Sequence, residues 1–298
     1  MIERLAWVTA REARGRDDDE PLALSALAGI GVSVEVLDWD DPTVEWGRFD
    51  RVVLRSVWDY PERLPQFLAW LAQVEAVSDL VNPPQMVRWN LDKFYLAELA
   101  DAGVPITPTT FFRPHEETTF PDGDFVIKPA VGAGSRDAAS YGAQDRAVAR
   151  AHIARLQAAG RAVLIQPLLR SVAKEGEWPL VFLDGRFSHA ANKRVSLPRA
   201  SVIDDLFAAE TTTEHAATET QVAVAQAAMD VVGARWGTPA FARVDLVRDD
   251  SGRFCVLELE LIEPSLFLPF AGAAGVQRLA ATLTRWPAAS TVEGVHTG

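Results

Sequence analysis

Apolar residues come in short runs along this chain, and their spacing switches between the strand and the helix repeat. Leu5 to Ala10 reads as a first strand, and Val32-Ser33-Val34-Glu35-Val36-Leu37 alternates as a second. Between them lie an acidic loop, Asp17 to Glu20, and a helix over Pro21 to Ala28 with proline in its first turn. Arg51 to Ser56 is a third strand, followed by an amphipathic helix over Pro61 to Val77. The order β-α-β-β-α predicts a small, largely parallel α/β domain that reaches about Pro84, within residues 1–88.

A second unit, residues 89–286, follows. Asn90 reads as the N-cap, and Asp92 as a first-turn acid, of a helix that runs to Ala102, stops at Gly103 and is followed by Pro105. Strands are expected near Ile106 to Phe112, Asp124 to Lys128 and Ala162 to Gln166, with a helix over Asp145 to Ala159. Residues of about 105–168 would form the smaller of two subdomains. Trp178 to Leu183 and Phe187 to Val195 read as a hairpin turning at Asp184-Gly185. Ser196 to Thr213 reads as a long loop and Glu214 to Trp236 as a helix. Phe241 to Val247 and Phe254 to Leu261 are strands joined across Arg248 to Gly252, and a helix near Gly272 to Arg285 follows. The small, polar tail 287–298 reads as frayed.

The fold class is therefore α/β, with α+β units in the second part. At 298 residues and 48% hydrophobic composition, the chain can build a sizeable core. A net charge of −12 gives no global basic field for nucleic acid or anionic membrane, although a local basic pocket can still hold a nucleotide. The single cysteine, Cys255, excludes an internal disulfide framework and suits a reducing cytoplasm. The N-terminal apolar run is too short for a signal peptide, and no run is long enough to span a bilayer.

The last strand pair carries most of the chemistry. Side chains alternate across a strand, so Glu258 and Glu260 share a face, and Asp245 joins them if the two strands pair. Three carboxylates on one face repel each other unless something neutralises them, and a divalent cation with oxygen ligands does so, Mg2+ beside phosphate. The solvated face of a half-exposed sheet is the plainer alternative. Lys128 ends an apolar strand and is followed by Val131-Gly132-Ala133-Gly134-Ser135-Arg136-Asp137, whose N–H groups can hold phosphate oxygens or simply form a tight turn. The spacing is neither a Walker loop nor a Rossmann fingerprint.

Leu164-Ile165-Gln166-Pro167-Leu168-Leu169 must end or bend at its proline, which exposes main-chain groups to the edge of a heterocycle; an ordinary edge strand is the plainer reading. Lys93 by itself reads as a solvent-exposed helical lysine. Glu177 offers acceptors for ribose hydroxyls, and Lys193, Arg194 and Arg243 offer cations for phosphates. His189 is a base or, more commonly for a lone histidine on a strand, a structural residue.

The order of these features resembles the ATP-grasp superfamily, in its glutathione-synthetase-like branch, over roughly Asn90 to Arg285. The resemblance implies an ATP-grasp fold that clasps ATP between two subdomains behind a small N-terminal parallel α/β domain. It implies that Lys93 and Lys128 contact the phosphates and the adenine side. Gly132, Gly134, Ser135 and Arg136 would close as a lid over the γ-phosphate. Gln166, Pro167, Leu168 and Leu169 would hold adenine through main-chain groups, and Glu177 the ribose. Lys193, Arg194 and Arg243 become the catalytic cations, and Asp245, Glu258 and Glu260 the ligands of two Mg2+ ions. The implied reaction phosphorylates a substrate carboxylate to an acyl phosphate, which a nitrogen nucleophile then attacks. Two departures matter. Glu260 stands where the family commonly has Asn, which puts two-metal occupancy in question. Trp178 or Pro179 stands where glutathione synthetase has a substrate-binding arginine, which argues against that enzyme's dipeptide.

Arg55-Ser56-Val57-Trp58-Asp59-Tyr60 follows the third strand, where parallel α/β domains place ligands. Arg55 can hold a carboxylate and Asp59 an ammonium, with Trp58 and Tyr60 beside them; a capped turn packed on the core is the alternative. Asn82, His189 and Ser265, the last within Glu263-Pro264-Ser265, complete the candidate substrate set. The Arg55 to Tyr60 segment and the Ala/Arg-rich composition are similar to the cycloserine-forming ligases of the superfamily, which activate O-ureido-D-serine, close its ring and lose the carbamoyl group. The expected partner is a small amino-acid-like molecule, with no nucleic acid and no membrane. A homo-oligomer is among the expected assemblies, since dimers are common in the superfamily. Two alternatives stand: a RimK-like ligase that adds an amino acid to a peptide or protein, and a nucleotide-binding module without turnover.

Overall fold

A computed structural model describes residues 2–202 and 209–285. The first sheet holds β1 (Arg4–Thr9), β2 (Ser33–Asp38), β3 (Arg51–Ser56) and β4 (Asp79–Val81) in the order β2-β1-β3-β4, with every pair parallel. Its crossover helices are α1 (Glu20–Gly29) and α2 (Leu64–Glu75). A parallel sheet is covered on both faces, which is why β3 is buried at every position and β1 at all but its first. Ala6, Val8, Val52 and Leu54 pack with Trp39, Trp46, Phe67 and Trp70 on one side, while Leu5, Trp7 and Val53 pack with Leu27 on the other.

The helix expected from Asn90 to Ala102 is two helices, α3 (Pro84–Asn90) and α4 (Tyr95–Asp101). Asn90 is not a cap. Its buried amide donates to the Leu259 carbonyl (2.9 Å) and accepts from the Leu261 N–H (2.7 Å), so tertiary bonding outweighs the local capping signal. The turn between these helices carries Lys93, which is buried rather than exposed; its N–H donates to the Ala130 carbonyl.

A small antiparallel sheet comes next, formed by β5 (Thr110–Phe112), β6 (Phe125–Pro129), β7 (Ala139–Tyr141) and β8 (Val163–Pro167) in the order β5-β8-β6-β7. Helix α5 (Arg146–Ala158) covers it through Ala149, Ile153 and Leu156. After the short α6 (Arg170–Glu175), a larger antiparallel sheet forms from β9 (Trp178–Leu183), β10 (Arg186–Val195), β11 (Glu210–His215), β12 (Phe241–Arg248) and β13 (Phe254–Glu260), ordered β11-β10-β9-β12-β13. The expected loop of residues 196–213 thus ends as a strand, paired with Ala190 to Val195. Residues 203–208 of that loop, and the tail 287–298, lie outside the described residues. Helix α7 (Glu219–Trp236) starts later than expected because Thr218 caps it: its hydroxyl accepts from the Gln221 N–H (3.2 Å), and the Gln221 side chain reaches back to the Thr218 N–H (2.9 Å). It packs Ala225, Ala228, Met229 and Val232 onto Leu180, Phe182, Val244 and Leu259.

The last helix, α8 (Gly272–Arg285), packs on α1 and joins the first sheet to the larger one: Leu279 and Leu283 share a core with Leu5, Trp7, Val181 and Phe241. A buried ion pair fixes this junction. Asp19 and Arg55, 2% and 1% exposed, meet at 3.2 Å. Asp19 accepts from the N–H groups of Leu266 (2.5 Å) and Leu268 (2.7 Å), and Arg55 donates to the Pro264 carbonyl (2.8 Å). The rings of Trp7 and Phe241 each lie 5.3 Å from the guanidinium.

Arg55→Met would leave Asp19 buried without its cation. Loss of one partner of a buried pair costs about 3–5 kcal/mol, so the urea midpoint should fall sharply; an unchanged midpoint would show that this junction is not held by the pair.

Candidate active site

The strands β12 and β13 form an antiparallel hairpin in the expected way. Asp245 stands opposite Glu258 and Arg243 opposite Glu260, so the two acid–base rows face each other on one side of the sheet. Carboxylate oxygens of Asp245, Glu258 and Glu260 all lie within 4.8 Å of one another. The register slips between Asp245 and Leu246, leaving Leu257 as a bulged residue beside Glu258.

Four cations surround this set. Arg243 grips Asp245 bidentately (2.7 and 2.9 Å) and reaches Glu260 at 2.5 Å. Lys93 pairs with Glu258 (2.9 Å) and donates to the Gly132 carbonyl (2.7 Å), tying the glycine loop to the carboxylates. Lys193 pairs with Glu177 (3.1 Å) and lies 3.8 Å from Asp245. Lys128 differs: it makes no ion pair among the described residues, and burial lowers its ammonium pKa despite Glu258 nearby. Burial alone would raise Glu258, but Lys93 and Lys128 hold it down at about 2. Burial pushes Glu260 up to about 7 even with Arg243 beside it, because Glu258 and Asp245 repel its charge.

One cleft between the small and the large sheet is lined by Lys93, Lys128, Gly132, Gly134, Ser135, Arg136, Gln166, Pro167, Leu168, Leu169, Glu177, Lys193 and Glu258. The structure thus brings Lys193 together with the residues expected to hold the adenine, the ribose and the loop side of the phosphates, while Arg194 and Arg243 do not line this cleft. Val126, Val172, Leu197 and Leu257 add apolar walls that no local pattern in the sequence marks. Pro167 has no N–H and the Leu168 N–H donates to the Asp124 carbonyl, so fewer main-chain groups remain for a heterocycle than the bend alone suggests. The loop reaches the first domain through Arg136, which pairs with Glu62 (2.9 Å) and Glu12 (3.5 Å).

A second cavity adjoins the carboxylates. Trp58, Lys193, Arg243, Glu258, Glu260, Glu263 and Ser265 line it, and Tyr60 and Glu263 meet Glu258 and Glu260 again in a smaller recess beside Lys93. Of the candidate substrate residues, Trp58, Tyr60 and Ser265 are therefore at the site.

The others are corrected. Arg55 is committed to Asp19 and the Pro264 carbonyl and opens onto neither cavity. Asp59 accepts from Trp39 Nε1 (2.7 Å) and Arg63 (3.1 Å) within the first domain. Asn82 is fully buried and donates to the Phe241 and Leu261 carbonyls while accepting from the Ala240 N–H. His189 Nε2 lies 2.6 Å from the Leu266 carbonyl, and burial lowers its pKa, so it is a neutral structural histidine. Arg194 falls on the opposite face of β10 from Lys193, exposed and lining a groove with Glu210 and Thr211, so strand alternation removes it from the catalytic set.

Glu263, from the candidate segment Glu263-Pro264-Ser265, lines the second cavity and its smaller recess as well. Burial, reinforced by Glu260, pushes its carboxyl up to about 8, against the pull of Lys93. No motif marks it; only its place after the metal-type strand draws attention to it.

The donor chemistry fits a nucleotide and a hard cation: an unpaired ammonium, a small-residue loop, and three clustered carboxylates. Comparison with known proteins agrees. Residues 5–82 match the family described as D-cycloserine synthetase DcsG, N-terminal domain. The chain is 41% identical over 284 residues to the cycloserine biosynthesis protein DcsG of Streptomyces lavendulae, covering 89% of this chain and 93% of that one. It superposes on the crystal structure of D-cycloserine synthetase DcsG with a TM-score of 0.84 and 39% identity, over 94% of this chain and 98% of that one. The ATP-grasp ligase PsnB, complexed with a phosphomimetic variant of its minimal precursor, Mg and ADP, shares the fold with a TM-score of 0.62 and 20% identity, over 95% of this chain and all (100%) of that one.

The Glu263 carboxyl gives a stability signature that needs no ligand. It holds its proton up to about pH 8 when folded but only to about 4.5 when unfolded. Between those values the folded state binds more protons, so this group's contribution to stability falls as pH rises. A side-chain amide cannot ionise. Glu263→Gln should therefore match the wild type near pH 4 and exceed it by about 1–3 kcal/mol at pH 8, as read by urea unfolding at both pH values.

Proposed function

The chain belongs to the DcsG family of ATP-grasp ligases, and from that kinship we propose that it activates the carboxylate of O-ureido-D-serine with ATP and closes the ring of cycloserine. The observation that carries this reading is Lys128. It is a desolvated ammonium with no ion pair among the described residues, held in the same cleft as the Asp245, Glu258 and Glu260 set. A cation kept free at such a cost is placed to receive an anion, and the polyphosphate of ATP supplies one.

Lys93 and Lys128 would hold the phosphates, with Gly132, Gly134, Ser135 and Arg136 closed over them and Glu177 at the ribose. Mg2+ on Asp245, Glu258 and Glu260, in two ions on the family pattern, would offset the charge of the transferring phosphoryl group. Lys193 lines both cavities and Arg243 the second, where the substrate carboxylate would approach the phosphate. They would offset the repulsion between the two anions. Arg136, anchored by Glu62 and Glu12, would keep the loop shut so that water does not consume the acyl phosphate. The nucleophile is the ureido-oxy nitrogen of the same molecule. Its attack expels phosphate and forms a five-membered ring, for which the covalent tether supplies the proximity. Water then cleaves the bond between the ring nitrogen and the carbamoyl carbon, which releases carbamic acid and leaves a hydrogen on the ring nitrogen of the product.

On this reading residues 1–88 and 89–286 are the two domains, and the enzyme works in the cytoplasm as a homo-oligomer on a free small molecule. No helix among the described residues is long and apolar enough to cross a membrane.

With ATP and Mg2+, O-ureido-D-serine should drive release of ADP and phosphate together with cycloserine, detected by a coupled assay and mass spectrometry. Lys128→Ala and Glu258→Gln should each lower kcat/KM by about 100-fold or more; the thermal midpoint should stay near that of the wild type for Lys128→Ala and fall for Glu258→Gln, which leaves Lys93 without its partner. Full turnover by either variant, or no substrate-dependent ADP release by the wild type, would overturn the proposal.

A further inference from the structure

We infer that Glu263 is the receptor for the α-ammonium of the substrate and sets the enzyme's requirement for a free α-amino acid. This rests on the ligase reading above and assigns one feature of the substrate to one side chain.

Six carboxylates border the site, and four have cations; of the other two, Glu210 is exposed and Glu263 is buried. Asp245 meets Arg243 at 2.7 Å, Glu258 meets Lys93 at 2.9 Å, Glu260 meets Arg243 at 2.5 Å and Glu177 meets Lys193 at 3.1 Å. Glu263 makes no ion pair among the described residues, although it is 6% exposed and opens onto both cavities beside Glu260. A buried carboxyl left without a counter-charge is costly, and a cationic ligand group removes that cost. Glu263 also lies outside the cluster of oxygens that can share one metal ion. Its missing partner is thus not that ion.

Its position is fixed with care. Trp58 Nε1 donates to the Glu263 carbonyl (3.2 Å), Arg55 to the next carbonyl, Pro264 (2.8 Å), and Arg243 to the one after, Ser265 (3.2 Å). The Tyr60 hydroxyl faces the carboxyl itself. Three side chains therefore clamp the backbone that presents this acid, as a specificity group requires. Geometry supplies the ligand. The carboxylate to be phosphorylated must lie by Arg243 and the metal-binding acids. An α-ammonium nitrogen is about 2.5 Å from its carboxyl carbon, so it falls in the same cavity, where Glu263 is the buried carboxyl without a cation. An ammonium there gains a charge-assisted hydrogen bond that a hydrogen atom at the same position cannot make.

The test compares ADP release with O-ureidoserine, both enantiomers, and with 3-(ureidooxy)propanoate, which lacks only the amino group. The wild type should prefer the better enantiomer of the amino compound over the desamino compound by about 100-fold in kcat/KM. Glu263→Gln should abolish most of that preference, chiefly by raising KM for the amino compound, while kcat/KM for the desamino compound changes less than about twofold. The Mg2+ concentration for half-maximal rate should not move. Equal losses on both compounds, a shifted Mg2+ requirement, or an intact preference in the variant would each overturn the assignment while leaving the ligase reading in place. Failure of the wild type to release ADP with any of the compounds would overturn the ligase reading and the assignment together.

Discussion

Charge matching around two adjoining cavities is the constraint on which the rest of this structure depends. Asp245, Glu258, Glu260, Glu177 and Glu263 are set against Lys93, Lys128, Lys193 and Arg243. Left without a partner, each buried ion would cost several kcal/mol. The pairing explains why the hairpin register is so firmly set. A slip of one residue in β13 would turn Glu258 and Glu260 toward α7 and bring Leu259 out to the cleft. The apolar side, where Val256 and Leu259 meet Ala225, Met229 and Val244, forbids that exchange. Hydrophobic burial on one face and ion pairing on the other thus specify the same alignment.

β13 is an edge strand, and an edge with open main-chain groups could not hold acids in fixed positions. Its free side is closed along its length by groups from elsewhere. Pro105 and Thr107 bond both main-chain groups of Val256, the Tyr95 hydroxyl accepts from the Leu259 N–H, and Asn90 bonds Leu259 and Leu261. Asn82 then takes the Leu261 carbonyl and links it to Phe241 and Ala240. Beyond it, Asp19 and Arg55 hold residues 264–268. The strand is therefore gripped by Asn90, Tyr95 and the main chain of Pro105 and Thr107. Residues 1–88 fix the chain that follows it, through Asn82, Arg55 and Asp19.

Much of this was legible in the sequence where the signal was local. Alternation in Phe254 to Leu261 placed Glu258 and Glu260 together, and the hairpin length brought Asp245 opposite, because both follow from the two-residue repeat. The run of Leu5 to Ala10 and the helix after Pro21 followed from periodicity and a proline at the helix start. What failed was the destination of polar side chains. Asn90 looked like a cap and Arg55 like a ligand for a carboxylate. Both types satisfy either role, and only the fold decides which partner is near. Arg194 was misplaced for the opposite reason: alternation already separates it from Lys193, and its charge had outweighed its position. β4 and β7, at three residues each, are too short for a pattern, and β11 is polar along its length because it lies exposed at the sheet edge.

The pairing also determines how ligands must enter. Arg243 holds both Asp245 and Glu260, and Lys93 holds Glu258. A cation seated among those three acids must take them from the side chains that hold them now, so binding there is an exchange of partners rather than the filling of a void. The released guanidinium then needs an anion, and the cavity it faces is the one that must receive the carboxylate of the substrate. Exchange of this kind ties the two events together: a cation that takes Asp245 and Glu260 frees Arg243 for an anion, and an anion that engages Arg243 loosens its hold on Asp245 and Glu260. Linkage requires the coupling to be reciprocal. Binding of both ligands is therefore favoured over either alone.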